Sequence, residues 1–212
     1  MLRSVITACW MMMLAAGLLL FSAAGKAALA ADAQKQQVIK QVETYLNDMN
    51  SMVADFVQIA PDGSLSSGKF FMQRPGKLRW QYEPPTPILM VSNGKSLAYY
   101  DYELEQLTWL DVEDTLANFI AQDKIRLTGP VTVESVEQQP GSLRVTLYQT
   151  KKKNLGTLTL AFADPMELRN MEITDKHGKT TTVTFTNLRT NSPLDNSLFV
   201  FKDPRSSTRR IK

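Results

Sequence analysis

The sequence predicts an α+β fold that is mostly β. About eleven antiparallel strands form one curled sheet, with an N-terminal helix and a short central helix over its concave face. Three observations predict this. Apolar residues recur at helical spacing in DAQKQQVIKQVETYLNDMNSM. After Val53 the period changes to two and holds through most of the chain. The alternating segments are joined by turns too short to connect parallel strands. A sheet of that size curls or splits into layers, and amphipathic helices need an apolar surface to cover.

The first thirty residues stand apart. Arg3 is a short positive start, VITACWMMMLAAGLLLFSAA is an apolar run, and Ala28 and Ala30 occupy the small positions of an A-x-A cleavage site. This reads as a secretory signal peptide over 1–30, leaving a single domain over 31–212. The run is also long enough for an uncleaved membrane anchor. The polar stretch behind it favours removal. Cys9, the only cysteine, lies inside this segment, too near the start for ITAC to end a lipoprotein signal. The mature chain then has neither disulfide nor thiol chemistry. Losing Arg3 and Lys26 leaves 22 basic residues against 21 acidic, a net charge of +1. A nucleic-acid binder needs a basic excess, so that class is excluded.

The elements follow in order. The helix places Val38, Val42, Tyr45, Met49 and Met52 on one stripe, widened by Ile39 and Leu46, with Asp32 as its N-cap. ADFVQIA, GKFFMQ and KLRWQY read as strands separated by PDGS and Pro75-Gly76. EPPTP interrupts the sheet. ILMVS and KSLAYYD flank Asn93-Gly94, a hairpin signal, and EQLTWLD follows. DVEDTLANFIAQD is a short helix whose apolar face is Leu116, Phe119 and Ile120. Five more strands run from VTVESVEQQ to KTTTVTFTN, and SLFVF is a last short one. RSSTRRIK reads as a solvated tail.

Catalytic chemistry is poorly supplied. His177, the only histidine, sits in the polar turn DKHGK. One histidine and no mature cysteine exclude a His-based metal site and a Cys-His pair. Neither a phosphate-binding glycine loop nor a G-x-S-x-G elbow is present. The carboxylate pairs Glu103/Glu105 and Glu113/Asp114 flank a turn and open a helix. Lys151–Lys153 lie in a hairpin loop, where charge discourages edge pairing. No enzyme, metal or cofactor is implied.

What remains is apolar. In RPGKLRWQYEPP, Lys77, Arg79 and Gln81 alternate with Leu78, Trp80 and Tyr82. Phe56, Phe70, Met72 and Met90 extend the large side chains to neighbouring strands. A plain barrel core and a cavity for a greasy guest both fit this pattern; methionine suits the second because it adapts to irregular shapes.

GKFFMQRPGKLRW, PTPILMVSNGKSLAYY, EQLT, ANFIA and FVFKDP together resemble the LolA family of periplasmic lipoprotein carriers. The likeness covers nearly all of the mature chain and is most specific from Gly68 to Thr108. It implies an unclosed antiparallel half-barrel. Its cavity holds the acyl chains of lipoproteins; Leu78 and Trp80 match cavity-wall positions, Tyr82 shares their parity, and Phe56, Phe70, Met72 and Met90 from the alternating strands are expected to line it with them. It implies a lid with Leu116, Phe119 and Ile120, closed by hydrogen bonds from Arg74. The lid stretch DTLANFIA lacks the proline that family members often carry there. The implied partners are acylated lipoproteins, an inner-membrane ABC transporter that releases them, and an outer-membrane acceptor. The protein itself is expected to be a monomer without a cofactor. A carrier of a free lipid or glycolipid, or a lipoprotein-sensing regulatory module, would use the same cavity.

Overall fold

The computed structural model describes residues 29–111 and 116–208, apart from the side chains of 116–118 and 207–208. The expected signal peptide, Glu113 with Asp114, and the basic residues Arg209, Arg210 and Lys212 fall largely or wholly outside them. The chain divides into two compact units, 1–42 and 43–212, with the boundary inside helix α1, residues 29–48.

In the first unit, helix α1 is already formed at residue 29, so Asp32 lies within it rather than capping it. Val38, Ile39 and Val42 are buried, whereas Gln36, Gln37, Lys40 and Gln41 are exposed. That is the apolar stripe and polar back expected of an amphipathic helix.

The second unit holds the last turn of α1 and one sheet of eleven strands. These are β1 (Ser51–Ile59), β2 (Leu65–Gln73), β3 (Lys77–Tyr82), β4 (Ile88–Asn93), β5 (Ser96–Asp101) and β6 (Gln106–Asp111). Then come β7 (Val131–Gln139), β8 (Ser142–Gln149), β9 (Thr157–Ala163), β10 (Glu167–Thr174) and β11 (Thr180–Thr190). The spatial order is β6-β5-β4-β3-β2-β1-β11-β10-β9-β8-β7, with β6 and β7 at the two edges. Every pairing is antiparallel. Two meanders are therefore stitched together where β1 meets β11.

Register assigns the faces. Phe56 stands opposite Phe185 and Gly68, Gly68 opposite Tyr82, Phe70 opposite Trp80, and Trp80 opposite Met90. Directly opposed residues share a face, so these side chains point inward together. In the other meander Val145, Leu147, Leu158, Leu160 and Met171 continue the buried set. Tyr45, in the last turn of α1, meets Phe162 edge-on with centroids 5.6 Å apart and receives the Leu168 N–H at its hydroxyl.

Two elements differ from expectation. The central helix is a 3₁₀ turn, Leu116–Ala121. Its last carbonyls are diverted: that of Ile120 accepts from Arg74, and that of Ala121 accepts from the Gly76 N–H at 2.7 Å. Such short, tight turns serve as connectors, not as full helices. SLFVF is not a strand. Asp195 caps a 3₁₀ turn, Asn196–Phe199, by accepting from the Ser197 N–H.

That turn covers the outer face of the sheet. The Arg79 guanidinium donates to the Leu198 carbonyl, Lys77 to Asn196, and the Tyr100 and Phe201 rings lie 5.7 Å apart. Leu89, Val91 and Ala98 are buried on this side. The start of the basic tail is also engaged. Arg205 pairs with Asp203 at 2.7 Å and donates to the Glu105 carbonyl, and residues Arg205–Thr208 are helical.

Candidate functional site

The inner face of β1–β4 is an aromatic cluster. The Phe70 ring lies 4.3 Å from Trp80 and 5.5 Å from Phe185. Phe56 meets Trp80 and Tyr82 edge-on, each at 5.0 Å. The ring of Phe56 has room because Gly68 faces it; a Cβ there would stand 2.9 Å from Phe56 and 2.2 Å from the Gln81 carbonyl oxygen. Phe56, Phe70, Met72, Leu78 and Trp80 are buried, and Tyr82 and Met90 are half-buried. Tyr82 donates to Gln58 at 2.8 Å. Burial, reinforced by Tyr99, pushes its phenol up to about 12, against a smaller opposing effect of that hydrogen bond.

A polar latch lies at one end of this face. Arg74 follows β2 and precedes the tight Pro75-Gly76 turn. Gly76 has φ +69°, and a Cβ on it would meet the Gly94 Cα at 2.8 Å. Two hairpin turns therefore touch backbone to backbone, and the Ser92 hydroxyl bridges them by donating to the Gly76 carbonyl and accepting from the Gly94 N–H. From this rigid corner the Arg74 Nη2 donates to the carbonyls of Leu46, at 2.6 Å, and Ile120, at 2.9 Å. One guanidinium thus ties the sheet, the end of α1 and the 3₁₀ turn together. Its partners are neutral oxygens, and burial lowers its pKa against the opposing pull of Asp123.

Asn47 completes the latch. Its Oδ1 accepts from the Ile125 N–H at 2.9 Å and its Nδ2 donates to the Ile125 carbonyl at 3.0 Å. Its Oδ1 also receives Arg74 Nη1 at a longer 3.4 Å, and its Nδ2 donates to the Glu43 carbonyl. Phe119, Ile120, Ala121, Ile125 and Leu127 are buried beside these bonds.

Residues 47–202 match the family described as outer membrane lipoprotein carrier protein LolA. The chain belongs to the LolA family. It is 30% identical over 172 residues to an outer-membrane lipoprotein carrier protein of Methylococcus capsulatus, covering 77% of this chain and 83% of that one. It is 33% identical over 174 residues to one from Legionella pneumophila strain Corby, covering 77% and 85%. It is 29% identical over 201 residues to one from Azotobacter vinelandii, covering 89% and 95%. LolA proteins are periplasmic carriers rather than enzymes, and this chain carries the LolA sheet, eleven antiparallel strands left unclosed.

The structure brings Phe56, Phe70, Met72, Leu78, Trp80, Tyr82 and Met90 onto one face, and sets Arg74 against the turn that holds Phe119 and Ile120. The side chain of Leu116 lies outside the described residues. Sequence reading missed Phe185, although TVTFTN alternates like the other strands and gives it the inward parity. It also missed Asn47. A lone asparagine at a helix end carries no sequence mark of a partner 78 positions away.

Proposed function

We propose that residues 31–212 form a periplasmic carrier, exported by a signal peptide over 1–30, that shields the acyl chains of lipoproteins. An inner-membrane ABC transporter loads it and an outer-membrane acceptor unloads it. The aromatic inner face is where the chains go. Phe119 and Ile120 lie on the lid over it, and the Arg74 latch is the observation that carries this reading. A purely structural core has little need of a charged group that joins three separate pieces, the sheet, the end of α1 and the 3₁₀ turn, beside its own apolar face.

The energetics favour a latch. Burying an acyl chain is worth about 0.8 kcal/mol per CH₂, so a sixteen-carbon chain gains roughly 12 kcal/mol. The membrane offers a similar gain. A carrier must hold cargo and still give it up. Each hydrogen bond from the guanidinium is worth about 1.5–3 kcal/mol, and cargo must break them to enter. Reclosing the latch then helps expel it. Energy for loading comes from the transporter, so the carrier needs no cofactor.

The test is a release assay with energised spheroplasts and the mature protein. Soluble one-to-one complexes with lipoproteins are expected. Arg74→Leu should load and then fail to pass cargo on. Normal hand-over by that variant would sink the latch mechanism. A free lipid or glycolipid copurifying in place of lipoprotein would replace the cargo and keep the inner face.

A further inference from the structure

Five lysines meet at one end of the sheet. The loop 150–156 joins β8 to β9 and carries Lys151, Lys152 and Lys153. The loop 175–179 joins β10 to β11 and carries Lys176 and Lys179. The sequence separates these loops, but register pairs Thr157 with Thr174, so both leave the sheet at the same place. Gly156 makes the approach closer still. A Cβ there would stand 1.9 Å from the Thr174 carbonyl oxygen and 2.9 Å from the Asp175 Cα. All five lysines are exposed. The loops hold one carboxylate, Asp175, which accepts from the backbone N–H groups of His177 and Lys179.

The same end of the other meander has the opposite sign. Loops 60–64, 83–87 and 102–105 carry Asp62, Glu83, Glu103 and Glu105, without a lysine or arginine. The loops at this end differ in sign, basic on the β8–β11 side and acidic on the β1–β6 side, where Arg205, neutralised by Asp203, also reaches the Glu105 carbonyl. The Thr150 N–H donates to the Pro130 carbonyl at 3.0 Å, which ties the basic loop to the point where the segment following the lid rejoins the sheet.

We infer that the two lysine loops dock the protein onto an anionic phospholipid surface. Lysines are mobile point charges, without the planar fork that lets arginine grip one oriented anion. A group of them on adjacent turn tips suits a fluid sheet of phosphates. The acidic loops are repelled by the same surface, so the molecule sits tilted, basic side down. This rests on charge placement alone and is independent of what the inner face holds.

Vesicle flotation tests it, using the mature chain and vesicles of phosphatidylcholine with or without phosphatidylglycerol. Binding is expected only with phosphatidylglycerol, and is expected to fall as salt rises. Each lysine near such a surface contributes about fivefold in affinity. The triple variant Lys151→Gln, Lys176→Gln, Lys179→Gln should therefore weaken binding about a hundredfold. The control triple Lys35→Gln, Lys95→Gln, Lys202→Gln removes the same charge elsewhere and should change it little. Equal losses in both triples would overturn the proposal in favour of diffuse net charge. So would equal binding to neutral vesicles, or none to anionic ones. Self-association by light scattering that only the loop triple abolishes would assign the lysines to another copy's acidic loops instead.

Discussion

Asn47 is small, uncharged and central to the latch. It bonds Ile125 in both directions, as a neighbouring strand would, and so fixes the stretch after the 3₁₀ turn. Asn47→Ala leaves both backbone groups of Ile125 without these partners, at about 1–3 kcal/mol for each buried group. Hydrogen exchange should show the Ile125 amide opening faster, while amides of β9 and β10 stay protected. Tyr82 gives a second handle. Its folded pKa of about 12 lies above that of a free phenol, near 10. The neutral form is the one folding favours. Its stabilisation is complete below pH ~10 and is lost as pH rises toward ~12, about 2–3 kcal/mol in all. Urea unfolding of Tyr82→Phe should lack this alkaline decline.

At the scale of elements, β1 and β11 meet at a bulge between Val53 and Asp55. Asn187 adopts φ 52° and donates to Asp55, while Lys69 binds the other carboxylate oxygen at 2.8 Å. The bond from Asn187, and then that from Lys69, hold the Asp55 carboxyl below its usual range. A depressed carboxylate pKa stabilises above the unfolded value and is lost as pH falls through the folded one. Thermal melts should therefore show the wild type losing more stability than Asp55→Asn between neutral pH and about pH 3. The turns are equally specific. Gly76→Ala puts a methyl against Gly94 at a left-handed φ and should lower the melting temperature by several degrees, about 1–3 kcal/mol. Such details explain what was legible in the sequence. Strands β1–β11 announce themselves by alternation and turn residues, and Trp80 and Phe70 by parity. The 3₁₀ turns do not. ANFIA and NSLF carry apolar spacing that fits several conformations; hydrogen bonds from Arg74 and Gly76 decide the first, and those from Arg79 and to the Asp195 cap decide the second. ILMVS reads as a strand, and β4 is one, but its run also carries a second message. An uninterrupted apolar run means both faces are covered, and here Phe199 and Phe201 lie beside Val91 on the outer side.

For the whole molecule, the rings pack against one another on the inner face proposed to take a guest. Loading must separate them, and tryptophan emission can report it. Residues 31–212 hold two tryptophans, Trp80 at 5% exposure and Trp109 at 56%. In Trp109→Phe, a long-chain fatty acid should alter the remaining emission in proportion to occupancy. In Trp80→Phe the signal should stay flat. An unchanged spectrum in the first variant would place the guest elsewhere.

The seam between β1 and β11 carries a further consequence, for how the chain is made. Met52 pairs with Thr190, so the first strand must wait for the last. Each meander is built from neighbours in sequence, and such local contacts form quickly, whereas distant ones are slow. A chain that emerges from a translocation pore amino end first holds Phe56 and Phe70 uncovered until Phe185 arrives. The apolar face proposed for another protein's lipid is then, for that interval, the newborn chain's own need for a chaperone.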